Sequence, residues 1–233
     1  MAKAVGLSRS IKLEWMNKTV ELIEQCESEQ EIKEKLNEYL GFEIESAINL
    51  RKTRELLMNI WVRKTEENEI IRKEALKTFK REKSDKRALH WCMLLIAYPI
   101  FADVSGLIGK LITIQDTFTS SWVKDKIFEE WGERTTLLHS SDKILQTLKY
   151  IGGIENIKTG TYKALKYQIT DEATTKVILM TILVLKEKAY YEISELSEVP
   201  QLFPFKYIVS HELLHNSECF HISNFGGKIV VSN

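Results

Sequence analysis

The order of residue patterns between Asp103 and Lys166 constrains this chain more than any other feature. Val104, Leu107, Ile108, Leu111 and Ile112 recur at helical spacing and lead into the β-prone triplet Thr117-Phe118-Thr119. Ser120 or Ser121 is placed to cap a following helix that carries Trp122, Val123, Ile127, Phe128 and Trp131, and Gly132 can stop it. After the turn Glu133-Arg134-Thr135, a second helix is expected from about Thr136 to Tyr150, ended by Gly152-Gly153. Two strands, Ile154–Lys158 and Tyr162–Lys166, then flank the turn Thr159-Gly160-Thr161. Helix, short strand, helix, turn, helix, hairpin is the order of a winged helix-turn-helix, whose second helix enters the DNA major groove.

The geometry of that second helix sorts its residues. At about 100° per residue, Leu137, Leu138, Ile144, Leu145, Leu148 and Ile151 gather on one side, and His139, Lys143, Gln146 and Tyr150 fall on the other. One face is suited to packing and the other to reading. Net charge over the chain is zero, so any nucleic-acid footprint has to be local. Residues 134–166 hold six Lys or Arg (134, 143, 149, 158, 163, 166) against Asp142 and Glu155, which makes the segment basic inside a neutral protein. The expected DNA contacts are therefore Arg134, His139, Lys143, Gln146, Lys149 and Tyr150 on the helix and its approach, with Lys158 and Lys163 on the hairpin.

Elsewhere the chain is expected to be mainly α with small β-hairpins. Three prolines and ten glycines in 233 residues leave little room for long linkers. Residues 1–98 read as a helical bundle, with Leu13, Met16, Val20 and Ile23 at helical spacing, Ser28 and Glu31 as a capping box, and Leu50, Leu57, Ile60 and Trp61 along one side of a third helix. Its last part is basic, with eight Lys or Arg (72, 73, 77, 80, 81, 83, 86, 87) against Glu74, Glu82 and Asp85. That run is either a solvated helix face or a second phosphate-contacting surface. Residues 99–168 form the winged unit. Residues 169–233 repeat its order more faintly: a helix over 172–189, a strand at Tyr190–Glu192, a helix at Ser194–Val199, a helix at Ile208–Asn216, and a hairpin of Phe220–Ser223 with Ile229–Ser232 around Asn224-Phe225-Gly226-Gly227. This is a second, degenerate winged helix or an irregular α+β cap on the first.

Enzyme chemistry has one foothold. His211-Glu212-Leu213-Leu214-His215 matches the H-E-x-x-H pattern of zinc peptidases, with two histidines one helical turn apart and a carboxylate to activate water, and His221 stands where metzincins place a third ligand. Glu218 replaces the glycine that metzincins need between the second and third histidines, and no methionine follows Met180 to form a Met-turn. A zinc metallopeptidase is the minor alternative, and no metal or cofactor is expected. There is no phosphate-binding glycine loop, and Cys26, Cys92 and Cys219 are too far apart for a zinc ribbon or redox pair. Trp15, Trp61, Trp91, Trp122 and Trp131 sit inside apolar periodic segments and are expected in the core. The longest apolar stretches, Trp91–Ala102 and Val177–Leu185, fall short of the roughly 20 residues of a membrane span. With no basic-then-apolar leader, the expected location is cytoplasmic.

The segment Ala97-Tyr98-Pro99-Ile100-Phe101-Ala102-Asp103-Val104, with Trp131-Gly132-Glu133-Arg134-Thr135-Thr136 and Ile144-Leu145-Gln146-Thr147-Leu148, resembles the BrxA-like component of BREX phage-defence systems. The resemblance covers roughly residues 90–155. It implies a small cytoplasmic accessory protein without enzymatic activity, which binds DNA or helps assemble a larger defence complex, and it carries no catalytic residues with it. The resulting expectation is a duplex DNA-binding accessory protein, with a protein-interaction scaffold as the alternative.

Overall fold

A computed structural model describes residues 6–63, 65, 68–133, 135–185, 188–215, 217 and 219–232. It is mainly helical with small sheets. The first half contains α1 (Leu13–Gln25), α2 (Glu29–Gly41), α3 (Ala47–Trp61), α4 (Glu69–Phe79), α5 (Lys86–Ala97) and α6 (Pro99–Leu111). Local chemistry sets the starts. The hydroxyls of Ser28 and Ser46 and the carboxylate of Asp85 accept from the amides of Glu31, Asn49 and Ala88, which satisfies donors that a helix N-terminus leaves open. Glu31 reaches back to the Glu27 amide, one residue earlier than a capping box requires. Between α5 and α6 the chain bends by 118° at Tyr98 and Pro99. Proline disfavours a helical residue before it and suits the first position of a new helix, so one apolar run becomes two helices. Among the described residues no single helix is long and apolar enough to cross a membrane.

The middle segment adds β1 (Thr117–Thr119), α7 (Ser120–Trp131), α8 (Thr135–Tyr150), β2 (Ile154–Lys158) and β3 (Thr161–Ala164). These strands form an antiparallel sheet in the order β1-β3-β2, with Phe118 opposite Tyr162 and their rings stacked at 5.7 Å. The cap of α7 is Thr119 rather than Ser120 or Ser121. Thr119 ends β1 in an extended conformation with its hydroxyl accepting from the Trp122 amide, so Ser120 is already helical. At the end of α8 the amides of Gly152 and Gly153 return to the carbonyls of Lys149 and Leu148, at 3.1 and 2.7 Å. This closure needs a left-handed residue, and Gly152 supplies it at φ 75°. The hairpin's second strand stops at Ala164, short of Lys166, because the chain turns away into β4 (Tyr167–Gln168).

The last segment holds α9 (Glu172–Val184), β5 (Tyr191–Glu192), α10 (Ile193–Leu196), a 3-10 turn at Pro200–Leu202, β6 (Phe205–Lys206), α11 (His211–His215), β7 (His221–Phe225) and β8 (Lys228–Ser232). Helix α9 is apolar all round and buried against α4 and α5. It and α11 are shorter than expected from the sequence. The Ser210 hydroxyl accepts from the Leu213 amide and so starts α11 at His211, leaving Ile208 exposed. The sheet order is β5-β8-β7, and β4 pairs in parallel with β6, a junction with no sequence signal. Trp91 ties the parts together. Its ring meets Phe101, Phe203 and Phe205 edge-on at 5.3–5.5 Å, and its Nε1 donates to the Gln201 carbonyl at 2.8 Å. Trp15, Trp61, Trp91 and Trp131 are buried and Trp122 half-buried, in line with core packing.

Candidate nucleic-acid interface

Helix α8 buries Leu137, Ile144, Leu145 and Leu148 and leaves a broad opposite face. His139, Lys149 and Tyr150 are exposed there, while Lys143 and Gln146 are half-buried. Leu138, assigned to the packing side by spacing alone, is exposed, because α7 and the sheet cover only the other half of the helix. The N-terminal arm bonds to α8 one turn from Lys143. The Ile11 amide donates to Thr147 Oγ1 at 3.0 Å, and that hydroxyl donates in turn to the Lys143 carbonyl at 2.8 Å. Lys12 lies 5.9 Å from the centre of the Tyr150 ring and pairs with Glu43, which also accepts from Trp15 Nε1 at 3.1 Å. The arm thus seats the C-terminal half of α8, and the N-terminal half with His139 stays open. Asp142, in the middle of the open face, is held by Lys124 of α7 at 2.8 Å, so its charge is partly neutralised.

On the hairpin, Lys158 and Lys163 are both exposed. Lys163 stands in register with Glu155 on one side and Thr117 on the other, and Lys158 lies opposite Thr161 across a register shift at Ile157. The amide of Ser120 donates to the Gly160 carbonyl at 2.9 Å, so the hairpin tip is anchored at the start of α7. Arg134 lies outside the described residues.

The basic run over 72–87 is not one surface. Arg72 is buried, and its guanidinium donates to the carbonyls of Arg63, Ile60 and Asn59 at the end of α3. A cation there satisfies open carbonyls and complements the helix dipole, and burial pushes its pKa down to about 10. Lys73, Lys80 and Arg81 face Glu69, Glu24 and Asp171, and Lys86 lies 4.9 Å from the Phe79 ring centre. Arg87 behaves differently: its guanidinium lies 3.9 Å from the centre of the Tyr167 ring. Nothing in the sequence signals that stacking.

The H-E-x-x-H residues occupy the five-residue α11, with His211, Glu212 and His215 exposed, and His221 opens β7. Among the described residues no three His, Cys, Asp or Glu side chains gather into a group able to hold a metal ion. Glu218 lies outside the described residues, and Cys219 is half-buried. No family model, curated protein or solved structure matches this chain.

Proposed function

We propose that residues 99–168 form a winged helix-turn-helix that binds duplex DNA, with α8 in the major groove and the β2–β3 hairpin against the adjacent backbone. The observation that carries this reading is the sheet order β1-β3-β2, with α7 and α8 lying between β1 and β2 in the chain and α6 before them. The three-stranded sheet supports the hairpin as a wing, and α8 keeps an open face with His139 and Lys149 exposed and Lys143 and Gln146 half-buried. The order β5-β8-β7, with α10 and α11 between β5 and β7, supports reading residues 169–233 as a second, reduced copy of the same unit. An accessory role in a phage-defence complex follows from the resemblance at residues 90–155.

Gln146 can pair with adenine, and Lys143 with guanine or phosphate; a bidentate base contact contributes about 1–3 kcal/mol. The double variant Lys143→Ala with Gln146→Ala should therefore bind duplex at least tenfold more weakly, about 1.4 kcal/mol, with unchanged helical circular dichroism. Fluorescence anisotropy with duplex, single-stranded DNA and RNA over a salt series is the measurement. Each phosphate neutralised on duplex should contribute roughly −0.9 to the log–log slope. A normally folded double variant that binds duplex as tightly as the parent would overturn the groove-reading assignment. A protein partner on the same unit is the second reading, favoured by exposed Leu138 and Ile157 flanking the polar face.

A further inference from the structure

Arg87 stands apart from the other cations of its segment. It lies in the first turn of α5, and its guanidinium carbon sits 3.9 Å from the centre of the Tyr167 ring. Its Nε is buried without a hydrogen-bond partner, and among the described residues the guanidinium makes no ion pair. The nearby carboxylates are occupied. Asp85 caps α5 at the Ala88 amide, and Asp171 caps α9 at the Thr174 amide and faces Arg81.

The setting is bonded on both sides. Tyr167 follows the hairpin and donates its hydroxyl to the Gly152 carbonyl at 2.9 Å. Gly152 closes α8, three residues past exposed Lys149, and a Cβ there would sit 3.3 Å from Arg87 Nε. One tyrosine therefore binds the closing turn of α8 through its hydroxyl and orients the arginine through its ring. A guanidinium stacked on an aromatic face has already lost much of its rotamer freedom. Its planar fork matches a phosphate in a way that a lysine ammonium does not.

We propose that Arg87 is a preset phosphate fork, which grips the DNA backbone next to the C-terminal end of α8. This rests on the duplex-binding reading above. It also assigns the phosphate contact to a residue outside the basic 134–166 segment, carried in by the helical bundle.

The test is anisotropy of a labelled random-sequence duplex over a salt series with the parent protein, Arg87→Met, Arg87→Lys and Tyr167→Phe. Methionine keeps a long apolar stem against Tyr167 without the charge. Its expected effect is a three- to tenfold weaker affinity at low salt and a log–log slope smaller in magnitude by roughly 0.9. Lysine should restore the slope but not the full affinity. Phenylalanine keeps the ring under the guanidinium but releases the Gly152 carbonyl, so any loss of affinity it causes should leave the parent's slope, which separates loss of the fork's charge from disturbance of the Gly152 turn. If the parent binds and Arg87→Met shows the parent's slope, with or without weaker affinity, the fork is overturned while the duplex reading stands. If the parent itself does not bind duplex, both fall together.

Discussion

Acidification should strip this protein of stability well before its surface carboxylates are all protonated, and His90 should be the reason. The imidazole projects from α5 and is fully buried against Asn17 of α1, Trp61 of α3 and Phe79 of α4. Trp61 Nε1 donates to its Nδ1 at 3.0 Å, which fixes the proton on Nε2, and that nitrogen meets Asn17 Oδ1 at 2.9 Å. Both ring nitrogens are matched only while the ring is neutral. Burial, aided by the charge of Lys86, pushes the pKa from the usual 6.5 down to about 3. A depressed histidine pKa means that the unfolded chain binds the proton more readily than the folded one. Stability is then full above pH 6.5 and falls by about 1.4 kcal/mol per unit as pH drops from there towards 3. The difference of 3.5 units corresponds to a loss on the order of 5 kcal/mol, comparable to the whole stability of many domains. Urea titrations from neutral pH down to about pH 4 should show this slope in the parent. His90→Gln can still accept from Trp61 and donate to Asn17, and it should flatten the slope. Equal pH dependence in the two proteins would refute the assignment.

Gly109→Ala should be the most damaging single-methyl insertion in α6. A Cβ at that position would stand 1.9 Å from the Pro200 carbonyl oxygen, 2.6 Å from its carbon and 2.8 Å from its Cα. All three are backbone atoms, so no side chain can swing away. The whole 3-10 turn has to lift off α6, and Gln201, whose carbonyl holds Trp91, moves with it. Overpacking typically costs about 1–3 kcal/mol, and a clash with backbone atoms belongs at the upper end. The comparison is with Gly132→Ala, where a Cβ meets nothing within 4 Å, although φ of 76° makes that change strained in its own right. Thermal denaturation should show Gly109→Ala as the larger loss. A Tm for Gly109→Ala within a degree or two of the parent would mean that α6 and the turn are not in this contact.

The helical segments and the two hairpins were legible because their signals are local. Apolar residues at three- and four-residue spacing, the capping side chain at 28, and Gly152 after α8 each act within a turn or two of chain. What could not be read depends on distant partners. Arg72 belonged by composition to a basic surface, yet it is drawn inward by the carbonyls at the end of α3. Lys143 and Gln146 looked as open as His139 but are half-buried, and the arm at Ile11 bonds to Thr147 one turn from Lys143. Two-residue strands such as β4 and β6 are too short to show alternation, so their parallel pairing left no trace. His90 sits in a helix otherwise unremarkable for buried polarity, and only the tertiary placement of Trp61 and Asn17 makes it tolerable there.

The bond from the Ile11 amide to Thr147 spans 136 residues, and that from Trp91 to Gln201 spans 110. Contacts so distant along the chain slow folding, because their loops must close before they return any energy. On a ribosome, the arm at Ile11 emerges on the order of ten seconds before Thr147 does, at the usual 5–20 residues per second. The bundle helices can collapse during that interval and take up Lys12 at Glu43 and Arg9 at Asn49, but the Ile11 amide has no acceptor until Thr147 is made. The C-terminal half of α8 is therefore finished by a segment made well before it, whose Ile11 amide must wait unbonded until its acceptor has been made.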